Sequence, residues 1–402
     1  MYGIMIARPK ISISLMVILF ITYIAQPQYI LSQGKFPSQE EIPVNQDIVR
    51  GIEHLYSWEF EKAEEIFRNI IREKPMDPAG YFYFSMVSWS RMTAGFWSLE
   101  TINEYENRID RTISVSQQII EKGNADSYAY FYLGGALGFK GRFKLMEQKW
   151  FSSYLIALDA IDALETCLAL DPDNRDVLLG LGIYDYYTAR FSGVLKFLTY
   201  IFFHKGNKEE GLRKLHLAAE EATYSSNEAK STLLYIYLFL ESDLRKARPL
   251  AEDLAKRFPY CPKYVYMQGL TYIRLRMNPE YRNVLNQLYE TSRGKKSTVN
   301  RSIWESWGRY LEVSYHIFYN QFDEAGSLID KILANRDPEN NPYMVAWPLL
   351  KIGMIYDLKG KREKALEYYN RVIGLENGAG AQFLAQRFID RPAAQGDPLL
   401  GL

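Results

Sequence analysis

The chain is expected to fold all-α, as a right-handed solenoid of antiparallel helix pairs with longer inserted helices in its N-terminal half. Three observations over its 402 residues predict this. Gly, Ala and aromatic residues recur at fixed intervals in distant parts of the chain. Two charged residues precede a small one wherever a second helix would begin. Behind that small residue, apolar side chains step by three and four, which keeps them on one face of a helix. Units of roughly 20–50 residues that repeat in this way cannot bury their apolar faces alone and must stack.

The first 34 residues read as an address. Arg8 and Lys10 precede an apolar run from Ile11 to Ala25, and Gln26, Pro27, Gln28, Ser32, Gln33 and Gly34 follow. A cationic start, an apolar core and a small-residue exit at Ser32 and Gly34 match an export signal. The core is shorter than the roughly 20 residues a spanning helix needs. The expected location is therefore the periplasm or cell envelope, with anchorage to the inner membrane if the signal stays uncleaved. Residues 35–43 form a linker.

The repeats occupy 44–380. In 44–77, Gly51, Ala63, Phe67 and Pro75 fall at offsets 0, 12, 16 and 24. In 346–379, Gly353, Tyr356, Ala365 and Tyr369 fall at 0, 3, 12 and 16. The Ala-to-Pro interval of 12 recurs from Ala160 to Pro172 and from Ala247 to Pro259. The charged pair and small residue appear as Glu61-Lys62-Ala63, Glu209-Glu210-Gly211, Arg245-Lys246-Ala247, Asp323-Glu324-Ala325 and Glu363-Lys364-Ala365. Two antiparallel helices crowd most closely near the turn that joins them, so a small residue belongs there. The windows 228–261 and 262–295 also fit well; 126–174, 175–226 and 306–339 fit in part. Residues 381–402 read as a capping helix followed by a frayed tail.

Three stretches break the period. An extra helical segment with Ile102, Ile109, Ile113 and Ile120 lies between Ser88 and Asn124. The interval from Gly141 to Ala160 is too long for a tight turn, with Gly141 expected to cap a helix. The glycines of 133–142 do not make a phosphate loop, because the Gly-Lys-Ser/Thr ending is missing. From Gly182 to Gly211 the interval is 29 instead of 12. That insertion carries Leu195, Phe197, Leu198, Tyr200, Ile201, Phe202 and Phe203. Such a run is either buried against a neighbouring helix or an apolar lip that meets a lipid, a membrane surface or a partner helix. It is too short to cross a membrane.

These spacings resemble the tetratricopeptide repeat superfamily, and Leu133–Arg142 with Leu181–Tyr187 resembles a group of exported bacterial members without a defined activity. The resemblance implies that the first helix of each pair lines a concave groove. The groove positions it implies are Asn45, Ile48, Ile52, Tyr56, Asp176, Tyr186, Tyr187, Lys263, Tyr266, Arg274, Trp347 and Asp357. Tyr and Trp suit a peptide or helix laid in a groove, since they give large contact area with few rotors. Chaperone-tail clamps of the superfamily use Lys and Asn where this first repeat has Ile48 and Ile52, which argues against that use.

Composition narrows the function. Lys plus Arg and Asp plus Glu number 48 each, so the net charge is zero and no cationic surplus points to nucleic acid. The two cysteines, Cys167 and Cys261, fall in different repeats and read as packed thiols. His54, His204, His216 and His316 are scattered, so no metal site is expected, and no cofactor motif is present. Glu104, Glu106 and Asp110 are interleaved with Arg108 and Arg111, as on a solvated ion-paired face. No G-x-S-x-G or H-E-x-x-H motif supplies a nucleophile or a zinc base. The expectation is a non-catalytic envelope scaffold for a protein or peptide, without a nucleic-acid partner. The alternative is a periplasmic carrier or transport accessory that encloses a small amphiphile or lipid.

Overall fold

The computed structural model describes residues 45–123, 126–147, 149–190, 206–294, 298–334 and 341–402. The export signal, the linker 35–43 and the apolar insertion 194–203 lie outside the described residues.

Seventeen α-helices and no strand occur among the described residues. They form eight consecutive pairs and a cap. The pairs are α1 (Gln46–Tyr56) with α2 (Phe60–Glu73), α3 (Pro78–Thr93) with α4 (Leu99–Glu121), α5 (Ser127–Met146) with α6 (Trp150–Leu170), and α7 (Val177–Thr188) with α8 (Lys208–Glu221). Then come α9 (Ser226–Tyr235) with α10 (Leu244–Arg257), α11 (Pro262–Arg274) with α12 (Asn278–Gly294), α13 (Thr298–Phe318) with α14 (Phe322–Ala334), and α15 (Tyr343–Leu358) with α16 (Arg362–Ile373). The cap is α17 (Ala381–Asp390). Helix α9 ends in a π turn at Ile236–Leu240. The architecture is an all-α solenoid of helix pairs.

Local chemistry sets the helix starts. Asn45, Asp77, Ser98, Asp126, Asn207 and Asp243 each accept a hydrogen bond from an otherwise orphaned N–H of the first turn. Pro78 and Pro262 occupy first-turn positions, where the missing N–H costs nothing. Ala63, Ala247, Ala325 and Ala365 are each the fourth residue of their helix and are fully buried, and Gly211 has the same place in α8. In α1 and α15 the glycine twelve residues earlier makes room for an aromatic ring. A Cβ on Gly51 would stand 2.4 Å from Phe67, and one on Gly353 would stand 2.4 Å from Tyr369.

Two irregularities resolve into ordinary pairs. The segment between Ser88 and Asn124 is no insert, because α4 is the second helix of the pair that α3 begins. Ile102 takes its small-residue slot. Gly141 is not a cap either: α5 runs on to Met146, and Ser153, twelve residues after Gly141, takes the small slot of α6. The Ser153 hydroxyl donates to the Gly141 carbonyl at 2.8 Å across this close crossing.

The array closes on itself. The Tyr56 hydroxyl donates to Glu228 at 3.0 Å, and its ring stacks on Phe258 and Tyr264 at 5.3 and 6.3 Å. The Asn45 N–H donates to the Tyr224 hydroxyl at 3.0 Å, and Arg257 pairs with Glu53. Near the other limit, Asn377 donates to the Trp97 carbonyl at 2.9 Å, and Ala379 belongs to the same apolar cluster as Ile48, Phe67 and Trp89. Repeats distant in sequence therefore touch one another. Both cysteines are nevertheless free and buried, and burial pushes the Cys167 thiol up to about 12.

Candidate peptide groove

The first helices α11, α13 and α15 lie side by side and converge on residues 397–402. Residues 391–402 do not fray. Asp397 caps a 3-10 turn at Pro398–Gly401 by accepting from the Leu399 N–H at 2.9 Å. Leu399 and Leu400 are buried against the inner helices, with Leu400 fully so. Three donors from three successive first helices then meet three successive backbone carbonyls. Lys351 of α15 donates to Leu400. Tyr266 of α11 donates to Gly401 at 2.5 Å, and Tyr310 of α13 donates to Leu402 at 3.2 Å. Ser314 ties the donors together: its Oγ lies 3.3 Å from Lys351 Nζ and 3.1 Å from Tyr266 Oη.

The electrostatics suit donation to a main chain. Burial pushes the phenols of Tyr266 and Tyr310 well up, so both keep their protons. Burial lowers Lys351 to about 7, and no carboxylate pairs with it among the described residues. Its ammonium stands 5.1 Å from the centre of the Tyr310 ring. Gly401 makes a close approach: a Cβ there would stand 2.6 Å from Leu270, whose side chain would have to shift. Beside the segment is a cleft of about 360 Å³ lined by Arg190, Phe239, Leu240, Arg387, Arg391, Pro392 and residues 394–399.

The sequence-implied groove positions divide. Tyr266 holds the segment, Asp357 accepts from the Ala393 N–H at 2.9 Å, and Arg274, lowered by burial, faces the opposing charge of Asp397. Arg274 also donates to the Leu238 carbonyl of the π turn. The others have structural partners in the chain. Tyr56 belongs to the closure already described, and Ile48 and Ile52 are core. Asp176 accepts from the Tyr224 and Ser225 N–H groups at 2.8 and 2.6 Å. Tyr186 is buried and donates to Glu241 at 2.6 Å, with Tyr187 edge-on to it at 5.2 Å. Trp347 donates to the Ala379 carbonyl at 3.1 Å, and Lys263 lies over the Tyr264 ring. The twelve implied groove positions therefore do not form one exposed surface. Lys351, Ser314 and Tyr310 were missed from sequence. The usable signal was Lys351 itself, a lone cation inside Val345–Ile355.

The recurring slots decide the fold. This chain is an all-α array of helix pairs whose slots resemble those of tetratricopeptide repeats. No protein-family model and no curated protein matches it. Similar solved structures include the human IFIT1 dimer with PPP-AAAA, at 12% identity and a TM-score of 0.45 over 87% of this chain and 88% of that one. The human IFIT1 dimer with m7Gppp-AAAA matches at 14% identity and a TM-score of 0.34, over 78% of this chain and 67% of that one. The P58(IPK) TPR domain matches at 11% identity and a TM-score of 0.23, over 86% of this chain and 89% of that one. The exclusion of nucleic acid is corrected here: the IFIT1 structures are complexes with PPP-AAAA and m7Gppp-AAAA. The physical reason is that zero net charge argues only against non-specific backbone binding. It does not report local groupings such as Arg190, Arg387 and Arg391, which line one cleft.

Proposed function

We propose that this tetratricopeptide protein is a non-catalytic scaffold that holds an extended segment of a protein partner along α11, α13 and α15, and that it works in the cell envelope. The single observation behind the binding mode is the row of donors, Lys351, Tyr266 and Tyr310, on three consecutive carbonyls. Main-chain donors of this kind give affinity, while pockets for side chains give selectivity. Envelope location rests on Arg8, Lys10 and the run Ile11–Ala25. Photo-crosslinking residues placed at Leu270 and Ile317, with Phe383 as an outer control, test the site in the source cell. Adducts to one discrete protein from the inner positions, absent at Phe383, are expected. Adducts only at Phe383, or a chain recovered solely from the cytoplasm, would count against the proposal.

A second reading, contact with an amphiphile or membrane surface, has one observation in its favour. Phe151 and Leu155, one turn apart on α6, are 71% and 46% exposed. Mass spectrometry of gently purified protein should then reveal a bound lipid, and clean protein would speak against it.

A further inference from the structure

We infer that residues 397–402 are an intramolecular stand-in for the partner peptide, so that a segment with two adjacent leucines followed by glycine enters the groove only where Asp397–Leu402 has left it. This rests on the peptide-scaffold reading and adds its regulation and its ligand chemistry. The attachment is of a ligand's kind. Lys351, Tyr266 and Tyr310 bind backbone carbonyls, which any peptide offers, and the side chains add two buried leucines. Selectivity follows from the space available: Leu399 and Leu400 fill the inner surface, and a side chain at the position of Gly401 would have to displace the buried Leu270 side chain.

The segment is also built to leave. Ala394, Gln395 and Gly396 are exposed, and Gly396 has a φ of +81°, so the connection to α17 is a surface turn. Departure would leave α17 with its own buried contacts through Leu384, Ala385 and Phe388. It would also leave Lys351 with Ser314 as its one hydrogen-bond partner among the described residues. A buried ammonium or amine in that state favours refilling by another carbonyl. A short tether gives the resident segment an effective concentration on the order of millimolar. A free peptide of the same sequence with micromolar intrinsic affinity would therefore be held off by roughly a hundredfold or more.

The test uses the full chain and a fluorescein-labelled hexapeptide, Asp-Pro-Leu-Leu-Gly-Leu, followed by anisotropy. In the Leu399→Ala/Leu400→Ala double variant, the peptide should bind at least tenfold more tightly than to the unaltered chain. A peptide with valine in place of glycine should lose that binding, and adding Lys351→Met should weaken it at least tenfold. An amine-reactive probe should label Lys351 in the double variant, with protection by the peptide, but not in the unaltered chain. Equal affinity for both chains, or no binding by a folded double variant, overturns the inference. Should the double variant be unfolded, the peptide must restore its helical circular dichroism; failure to restore it also overturns the inference. Dimers of the unaltered chain that the peptide dissolves would name a second copy as the occupant and overturn the partner assignment. If an envelope protein cross-links to the inner helices equally with and without the double substitution, the scaffold reading stands and the stand-in falls. If the peptide binds as expected but no protein is trapped there, the reverse holds.

Discussion

Lys351 concentrates the groove's chemistry in one amine. It is fully buried, and burial alone lowers it from 10.5 to about 7. The unfolded chain takes up this proton below about 10.5, the folded chain only below about 7. Between those values the unfolded state binds more protons, so stability rises with pH by up to about 1.4 kcal/mol per unit. Below 7 both states carry the proton and the cost stays constant. Cys261, pushed up to about 11, and Cys167 act in the opposite direction above about 9, because the unfolded chain loses those protons first. The difference between the unaltered chain and Lys351→Met cancels these backgrounds. Urea unfolding at pH 7, 8 and 9 should show that difference moving in favour of the unaltered chain by about 2 kcal/mol over the range. A difference that stays constant would mean that Lys351 keeps an ordinary pKa in the folded protein.

At the scale of the helix pair, the turn is specified by conformation and the crossing by size. Trp58, Ser242, Arg276, Asn320 and Gly360 all have φ between 55° and 70°, and each stands five residues before the fourth residue of its second helix. A left-handed residue costs roughly 1–2 kcal/mol unless it is glycine. Gly360→Ala should therefore destabilise by about 1 kcal/mol, whereas Arg276→Gly at the equivalent position should stabilise by less, since glycine also loosens the unfolded chain. Opposite signs in matched thermal melts are the expected outcome; two losses would show that the turns are not equivalent. These turns were illegible in sequence because five different geometries of side chain share one backbone angle. The crossings were legible where Ala63, Ala247 and Ala365 filled the slot. They were obscured where Ile102, Ser153 and Tyr281 fill it, because Ile102 sits in a pair with a different turn at Gly95 and Tyr281 finds room by stacking on Tyr315 at 4.6 Å. The groove was legible only through Tyr266, Arg274 and Asp357. What occupies it was not, since Asp397–Leu402 carries no periodic signal and gains its order from helices 49 to 135 residues earlier.

At the scale of the whole array, closure changes how stability is shared. In an open stack each repeat contacts only its neighbours, and a defect in the first pair weakens little beyond the second. Here Tyr56 of α1 lies on Phe258 and Tyr264, at the junction of α10 and α11, and hydrogen-bonds to Glu228 of α9. Tyr56→Ala removes that stack and leaves Glu228 with the weaker ion pair to Arg142 at 3.7 Å. Large-to-small changes at packed aromatic sites cost about 3–5 kcal/mol. Tyr56→Phe keeps the ring and removes only the hydrogen bond, a loss of about 1 kcal/mol. The distribution of the loss is more informative than its size. Hydrogen exchange in Tyr56→Ala should accelerate in α1 and equally in α11, some 200 positions along the chain, while α5 and α6, which lie between them in sequence, keep their protection. Loosening of α11 would reach Tyr266, so adding Tyr56→Ala to the double-leucine variant should weaken its binding of the fluorescent hexapeptide. Exchange that quickens only in α1 to α3 would show that the array behaves as an open stack and that the contacts of Tyr56 contribute nothing to its closure.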